Sequence, residues 1–132
     1  MKFSRNFKRS EFECECGCGF DTVDHELVVV LEDLRRHLQT LYPGAYIVIS
    51  GPNRCESQNE KIGGADDSQH LLGKAADIKA YWKPASGKRT AVPVAALWNY
   101  LVETYPEAYG VGLYSNRVHL DVRSKKARWT SL

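Results

Sequence analysis

The stretch SQHLLGKAADIKA, residues 68–80, decides how this chain folds. It divides at Gly73. Before the glycine lies a loop that carries His70. After it, Lys74 to Ala80 alternates in character, so a strand there places Ala76, Ile78 and Ala80 on one face and Asp77 on the other. A second stretch, VHLDV at 118–122, follows the same rule. His119 and Asp121 share one face, opposite Val118, Leu120 and Val122. Two strands that bury aliphatic residues on one side, with imidazole and carboxylate on the other, form the frame from which the rest is read.

Outward from that frame, Leu27, Val30, Leu31, Leu34, Leu38 and Leu41 recur at helical spacing, which predicts an amphipathic helix over Asp24 to Leu41. Asp21, Thr22 or Asp24 is available to cap it, and Pro43-Gly44 ends it. The β-branched run Ala45 to Ser50 predicts a central strand. Residues 51–73 carry loop signals at Gly51-Pro52, Gly63-Gly64 and Gly73, with room for a helical turn over Glu56 to Ile62. Pro84 to Lys88 is a turn. Val92 to Tyr105 predicts a second helix with Pro93 in its first turn. Gly110 to Leu113 and Val118 to Val122 predict two short strands joined at Ser115-Asn116. The order helix, strand, loop, strand, helix, strand, strand is that of an α+β domain without a βαβ repeat.

The chain has 132 residues, which points to a single domain over 1–132, with residues 1–20 as an irregular N-terminal cap. Lysine plus arginine exceeds aspartate plus glutamate by only 18 − 16 = +2, so bulk charge does not support nucleic-acid binding. The first ten residues are basic, and Glu11, Glu13 and Glu15 follow where a signal peptide needs an apolar run. The expectation is therefore a soluble monomer without a membrane segment or signal peptide, and with a solubilising, partly frayed start. From Arg117 to Arg128 five basic residues stand against Asp121 alone, either a patch for an anionic polymer or a solvated face.

Four histidines occur. His25 and His37 fall at surface or boundary positions of the first helix. His70, Asp77 and His119 together make a ligand set suited to a zinc ion with one position open to water. Spacing alone leaves a second reading, in which Asp77 caps a strand end and both histidines are ordinary partly buried residues. Cys14, Cys16, Cys18 and Cys55 also have more than one reading. A structural metal would use all four, although C-x-C-x-C departs from the common C-x₂₋₄-C spacing. Bridges between neighbours in the cluster would be strained, whereas one bridge to Cys55 is feasible in an oxidising compartment. Free, partly buried thiols are the third.

Taken in order, Ser68-x-His70-x-x-Gly73-x-Ala75-x-Asp77, Gly110-x-Gly112-x-Tyr114 and His119-x-Asp121-x-Arg123 resemble the zinc D-alanyl-D-alanine carboxypeptidase family. That family includes phage and bacterial L-alanyl-D-glutamate endopeptidases and shares its fold with the Hedgehog signalling domain. The segments Ser50-Gly-Pro-Asn-Arg54-Cys55-x-x-x-Asn59, Gly63-Gly64-Ala65, Phe12-x-Cys14-x-Cys16-Gly17-Cys18-Gly19 and Trp129 extend the resemblance over residues 7–129.

The resemblance implies a small, mostly antiparallel central sheet with flanking helices. It implies Zn2+ held by His70, Asp77 and His119, and Arg54 acting on substrate carboxylate or carbonyl oxygens, with Ser68 beside the metal loop. The implied substrate is peptidoglycan or its stem peptides, cut by carboxypeptidase or endopeptidase action on the cell wall after phage-linked or lytic release. Two departures stand out. Several members carry an acidic base three positions before the last histidine, where this chain has Asn116, which cannot accept a proton from water. Asp121 is then either the base or the residue that orients His119. The segment Ser50 to Arg54 is also one residue longer than the usual form, which bears on the reach of Arg54. Asn116 keeps open the alternative of a cell-wall peptide-binding module with little or no turnover.

Overall fold

A computed structural model describes residues 2–65 and 68–132. The helix marked by the leucine spacing, α1, spans His25–Leu41 and starts at Asp24, whose side chain accepts from the Glu26 N–H. Its buried stripe of Leu27, Val30, Leu31, Leu34 and Leu38 faces the sheet. Each such side chain is worth roughly 1.5–3 kcal/mol of burial, so this face does most to hold the helix in place. β1 (Tyr46–Gly51) follows, then α2 (Glu56–Lys61), a 3-10 turn (Gln69–Leu72), β2 (Ala75–Trp82), β3 (Thr90–Ala91) and α3 (Val94–Thr104). β4 (Gly110–Tyr114), β5 (Val118–Asp121) and β6 (Ala127–Ser131) complete the chain.

The main sheet runs β1-β2-β5-β4-β6, with β3 paired to β2. All pairings are antiparallel except β4 with β6. Ala76, Ile78 and Ala80 of β2, Val118 and Leu120 of β5 and Val111 of β4 point to the helical side and join the α1 stripe in one core, together with Leu97 and Leu101 of α3. The opposite face is left for polar side chains.

Three expectations change. β1 is an edge strand rather than a central one, because the centre is taken by the better buried β2 and β5. The strand β6 emerges within a segment legible only as basic, where alternation over five residues is masked by charge. The basic opening segment is packed, not frayed. Phe7 and Phe12 are fully buried, and Glu32 of α1 accepts from the Ser4 hydroxyl at 2.6 Å and from the Asn6 side chain at 2.8 Å.

Asp33 fastens α1 to α3 by accepting from the Tyr100 hydroxyl at 2.5 Å and the Tyr105 hydroxyl at 2.7 Å. Burial alone would raise its pKa, but the two phenols and Arg36 outweigh it and hold the carboxyl below its ordinary value. A depressed carboxylate contributes its stability in full above the unfolded pKa of about 3.9 and loses it as pH falls through the folded value. Asp33→Asn is therefore expected to cost about 1 kcal/mol at neutral pH, with the difference from wild type closing in acid. Urea unfolding across that range measures it, and a gap independent of pH would refute the assignment.

Candidate metal centre and cleft

The pairing register lines up Gly51, Asp77, His119, Gly112 and Trp129 across five strands, β1, β2, β5, β4 and β6. All five belong to the face away from the helices, since their neighbours in β2, β4 and β5 are core residues. The two glycines make room. A Cβ on Gly51 would strike the Asp77 carboxylate, and one on Gly112 would strike the Trp129 indole. The vacated space lets the indole lean toward His119, with ring centroids 5.0 Å apart.

His70 reaches the same place from outside the sheet. Its 3-10 turn is capped by Ser68, whose hydroxyl accepts from the His70 N–H at 3.2 Å. The ligating atoms of His70, Asp77 and His119 all lie within 4.8 Å of one another. His119 Nδ1 is 3.1 Å from Asp77 Oδ1, and His70 Nε2 is 3.6 Å from Asp77 Oδ2. Ligands about 2.0–2.1 Å from a tetrahedral zinc stand roughly 3.3 Å apart, so the separations suit the ion. The hydrogen bonds also set the tautomers. His70 Nδ1 lies 2.9 Å from the Pro52 carbonyl, which only accepts, so the proton sits on Nδ1 and the Nε2 lone pair faces the shared space. His119 Nε2 lies 2.7 Å from Asp121 Oδ2, so it is the donor there and Nδ1 faces Asp77.

Asp121 is fully buried on the far side of His119 from the cleft. Besides His119, it accepts from the backbone N–H groups of Gly110 and Arg123, each at 3.1 Å, and from Arg123 Nε at 2.8 Å and Nη2 at 2.6 Å. Gly110 is needed for this, since a Cβ there would strike the Asp121 carboxylate and the Arg123 guanidinium. Burial pushes the pKa of both Asp121 and Asp77 upward, but hydrogen bonds outweigh it and hold each well below the carboxylate range. His119 and Arg123 do so for Asp121, and His119 and His70 for Asp77. Burial opposes a charge on His119, yet hydrogen bonds to Asp121 and Asp77 prevail and raise its pKa.

The three ligands open into a cleft of about 560 Å³ whose lining includes Arg54, Ser68, Tyr114, Arg117, Arg123 and Trp129. Arg54 Nη2 donates to the Ser68 hydroxyl at 3.0 Å, so the longer segment before Arg54 still delivers it to the site. Arg117 lies over the Tyr114 ring at 4.0 Å, with Nε 3.9 Å from Asp77 Oδ2. The Tyr114 oxygen accepts from Trp129 Nε1 at 3.0 Å. Asn116 is exposed in the β4–β5 turn and bonded to Arg117, away from the lining. Among the described residues, Asp77 is the sole carboxylate that lines the cleft.

Sequence reasoning missed Tyr114, Arg117 and Arg123 as cleft residues. Their signal was position: Tyr114 follows Gly112 on its strand face, and Arg123 follows Asp121. The basic stretch from Arg117 to Arg128 is not one patch. Arg117 and Arg123 line the cleft, whereas Arg128 spends its guanidinium on the carbonyls of Tyr105, Ala108, Tyr109 and Ala127.

A family model described as Peptidase M15 matches residues 5–121, a span that includes Arg54, the three candidate ligands and all four cysteines. Comparison with curated proteins and with solved structures gave no match. If Asp121 acts by holding His119, Asp121→Asn is expected to weaken zinc affinity roughly 10–100-fold, with the fold retained by circular dichroism. Gly110→Ala is expected to weaken it in the same direction by crowding the same carboxylate. Competition against a chromophoric chelator measures both, and unchanged affinity in both would remove Asp121 from the support of the metal centre.

Proposed function

This chain belongs to the peptidase M15 family, and on that premise we propose that it hydrolyses peptide bonds in peptidoglycan stem peptides, using zinc held by His70, Asp77 and His119. The observation that carries the proposal is the convergence of these three ligand groups at the floor of a cleft walled by three arginines. Stem peptides carry several carboxylates, and a cationic cleft draws and holds them.

Bound zinc would supply Lewis acidity, polarising a carbonyl and making water more acidic. The chain's own residues do the rest. Pro52 and Asp121 fix the two imidazoles so that each offers a lone pair to the centre. Arg54 has five N–H donors, of which the bond to Ser68 uses one, and its fork suits a substrate carboxylate or the oxygen that gains charge in the transition state. The Tyr114 oxygen already accepts from Trp129, so its own proton is the one to offer a substrate oxygen. Asp121 is assigned a positioning role, because its two oxygens are spent on five donors and its fully buried carboxylate is not part of the cleft lining. On this reading the chain acts as a monomer on the cell wall after phage-linked or lytic release.

One observation favours an alternative, a wall-peptide-binding module with weak or no turnover. Asn116 stands where several family members carry an acidic base, and among the described residues the cleft shows no carboxylate beyond Asp77. Incubating the purified chain with peptidoglycan and with isolated stem peptides separates the two readings. The proposal expects cleavage products that disappear with a chelator and return with zinc, and their masses tell terminal from internal cleavage. Binding to sacculi without any cleavage by zinc-loaded protein would favour the module. Arg54→Ala is expected to raise KM roughly 10–100-fold, the worth of one charged hydrogen-bonded contact, with zinc content unchanged.

A further inference from the structure

The second cluster of ligand-type side chains lies outside the cleft, where the N-terminal cap meets the start of α2. Cys14, Cys16, Cys18 and Cys55 bring their four sulfurs within 4.8 Å of one another, and none is bonded to another. Cys14 Sγ lies 3.4 Å from Cys16 Sγ and 3.8 Å from Cys55 Sγ, and Cys16 Sγ lies 3.5 Å from Cys55 Sγ. These separations are well beyond a disulfide bond of about 2.05 Å. They approach the roughly 3.8 Å expected between sulfurs each about 2.3 Å from one tetrahedral zinc. We propose that these four cysteines bind a structural zinc ion as a tetrathiolate, separate from the metal centre of the cleft.

The backbone explains how an unusual spacing meets that requirement. The Cys14 N–H donates to the Phe20 carbonyl at 2.9 Å, and the Gly17 N–H donates to the Cys14 carbonyl at 3.1 Å, so residues 14–20 close into a tight loop. Gly17 and Gly19, with φ of 81° and 87°, supply the left-handed turns that let alternate residues aim inward. Cys14 and Cys18, with three residues between them, then behave as an ordinary C-x₂₋₄-C pair, and Cys16 and Cys55 complete the set. Backbone donors already face the sulfurs: Cys55 N–H to Cys14 Sγ and Gln58 N–H to Cys55 Sγ, both at 3.4 Å. Such donors favour thiolate over thiol. On binding, each S–H bond gives its proton to solvent as an S–Zn bond forms, with no oxidant or reductant required.

The ion would act as a staple behind the cleft. Cys55 directly follows the segment that supplies the Pro52 carbonyl to His70 and Arg54 to the cleft wall. The same segment is held to the cap by the Asn53 N–H on the Phe12 carbonyl at 3.1 Å and Asn53 Nδ2 on the Thr22 carbonyl at 2.9 Å. Tying Cys55 to the 14–18 loop fixes that segment at its remaining end.

The test uses the intact chain, purified under reducing conditions, and reads metal rather than hydrolysis, so it stands or falls apart from the peptidase reading. Zinc analysis is expected to find two ions per chain. Cobalt-substituted protein is expected to show the intense near-ultraviolet thiolate-to-cobalt charge-transfer absorption that nitrogen and oxygen ligands do not give. His70→Ala/His119→Ala should keep that absorption and one ion, and Cys16→Ser/Cys18→Ser should lose it. Should the cysteine variant fail to fold, the wild-type spectrum decides alone. Absence of the absorption in cobalt-loaded wild type would overturn the proposal. So would four thiols that react freely with Ellman's reagent in the zinc-loaded native protein, or a disulfide between Cys55 and the cluster.

Discussion

The antiparallel register that sets Asp77 of β2 opposite His119 of β5 is the constraint on which the rest depends. Side chains alternate with a period of two, so a slip of one residue by either strand would carry its own polar group into the core and bring its aliphatic face, Ile78 in β2 or Leu120 in β5, out. The aliphatic face against α1 and α3 therefore does more than stabilise the domain. It locks the phase in which a carboxylate and an imidazole meet at 3.1 Å on the other side. The site's polar groups thus cost little extra organisation, because the core's burial already determines where they stand.

Around that pair the chain removes bulk rather than adding it. Gly51, Gly112 and Gly110 stand beside Asp77, Trp129 and Asp121, at positions where any side chain would collide with a group of the site or its support. The supporting line runs from Arg123 through Asp121 to His119, each contact charge-assisted and at least partly buried. On the other flank Pro52 does for His70, through its carbonyl, what Asp121 does for His119. Two imidazoles reached by unrelated segments are in this way each fixed by one acceptor.

Much of this was legible in the sequence for a physical reason. Alternation in Lys74 to Ala80 and Val118 to Val122 reports face directly, and the α1 leucines report a helical stripe, so the buried and polar faces of β2, β5 and α1 follow from local pattern. The peptidase family, too, is reached from motifs that lie on these elements. What local pattern does not carry is who neighbours whom. β1 has the composition of an inner strand yet lies at the edge, and β6 hides its alternation behind Arg128, whose charge is consumed by four carbonyls. The roles of Arg117 and Arg123 depend on cross-strand neighbours, and the meeting of Cys55 with Cys14 spans 41 residues of chain. The two roles open for Asp121 could be weighed only once its five donors were in place.

In the proposed centre a metal is held by His70 Nε2, the Asp77 carboxylate and His119 Nδ1, with His119 Nε2 turned to Asp121. Zinc-edge anomalous diffraction from crystals of the zinc-loaded protein tests that claim most directly. The expected result is an anomalous peak bounded by those three groups at about 2.0–2.1 Å from the nitrogens. A cleft without such a peak in zinc-loaded crystals, or a His119 that meets the ion through Nε2 and so gives up its bond to Asp121, would contradict it.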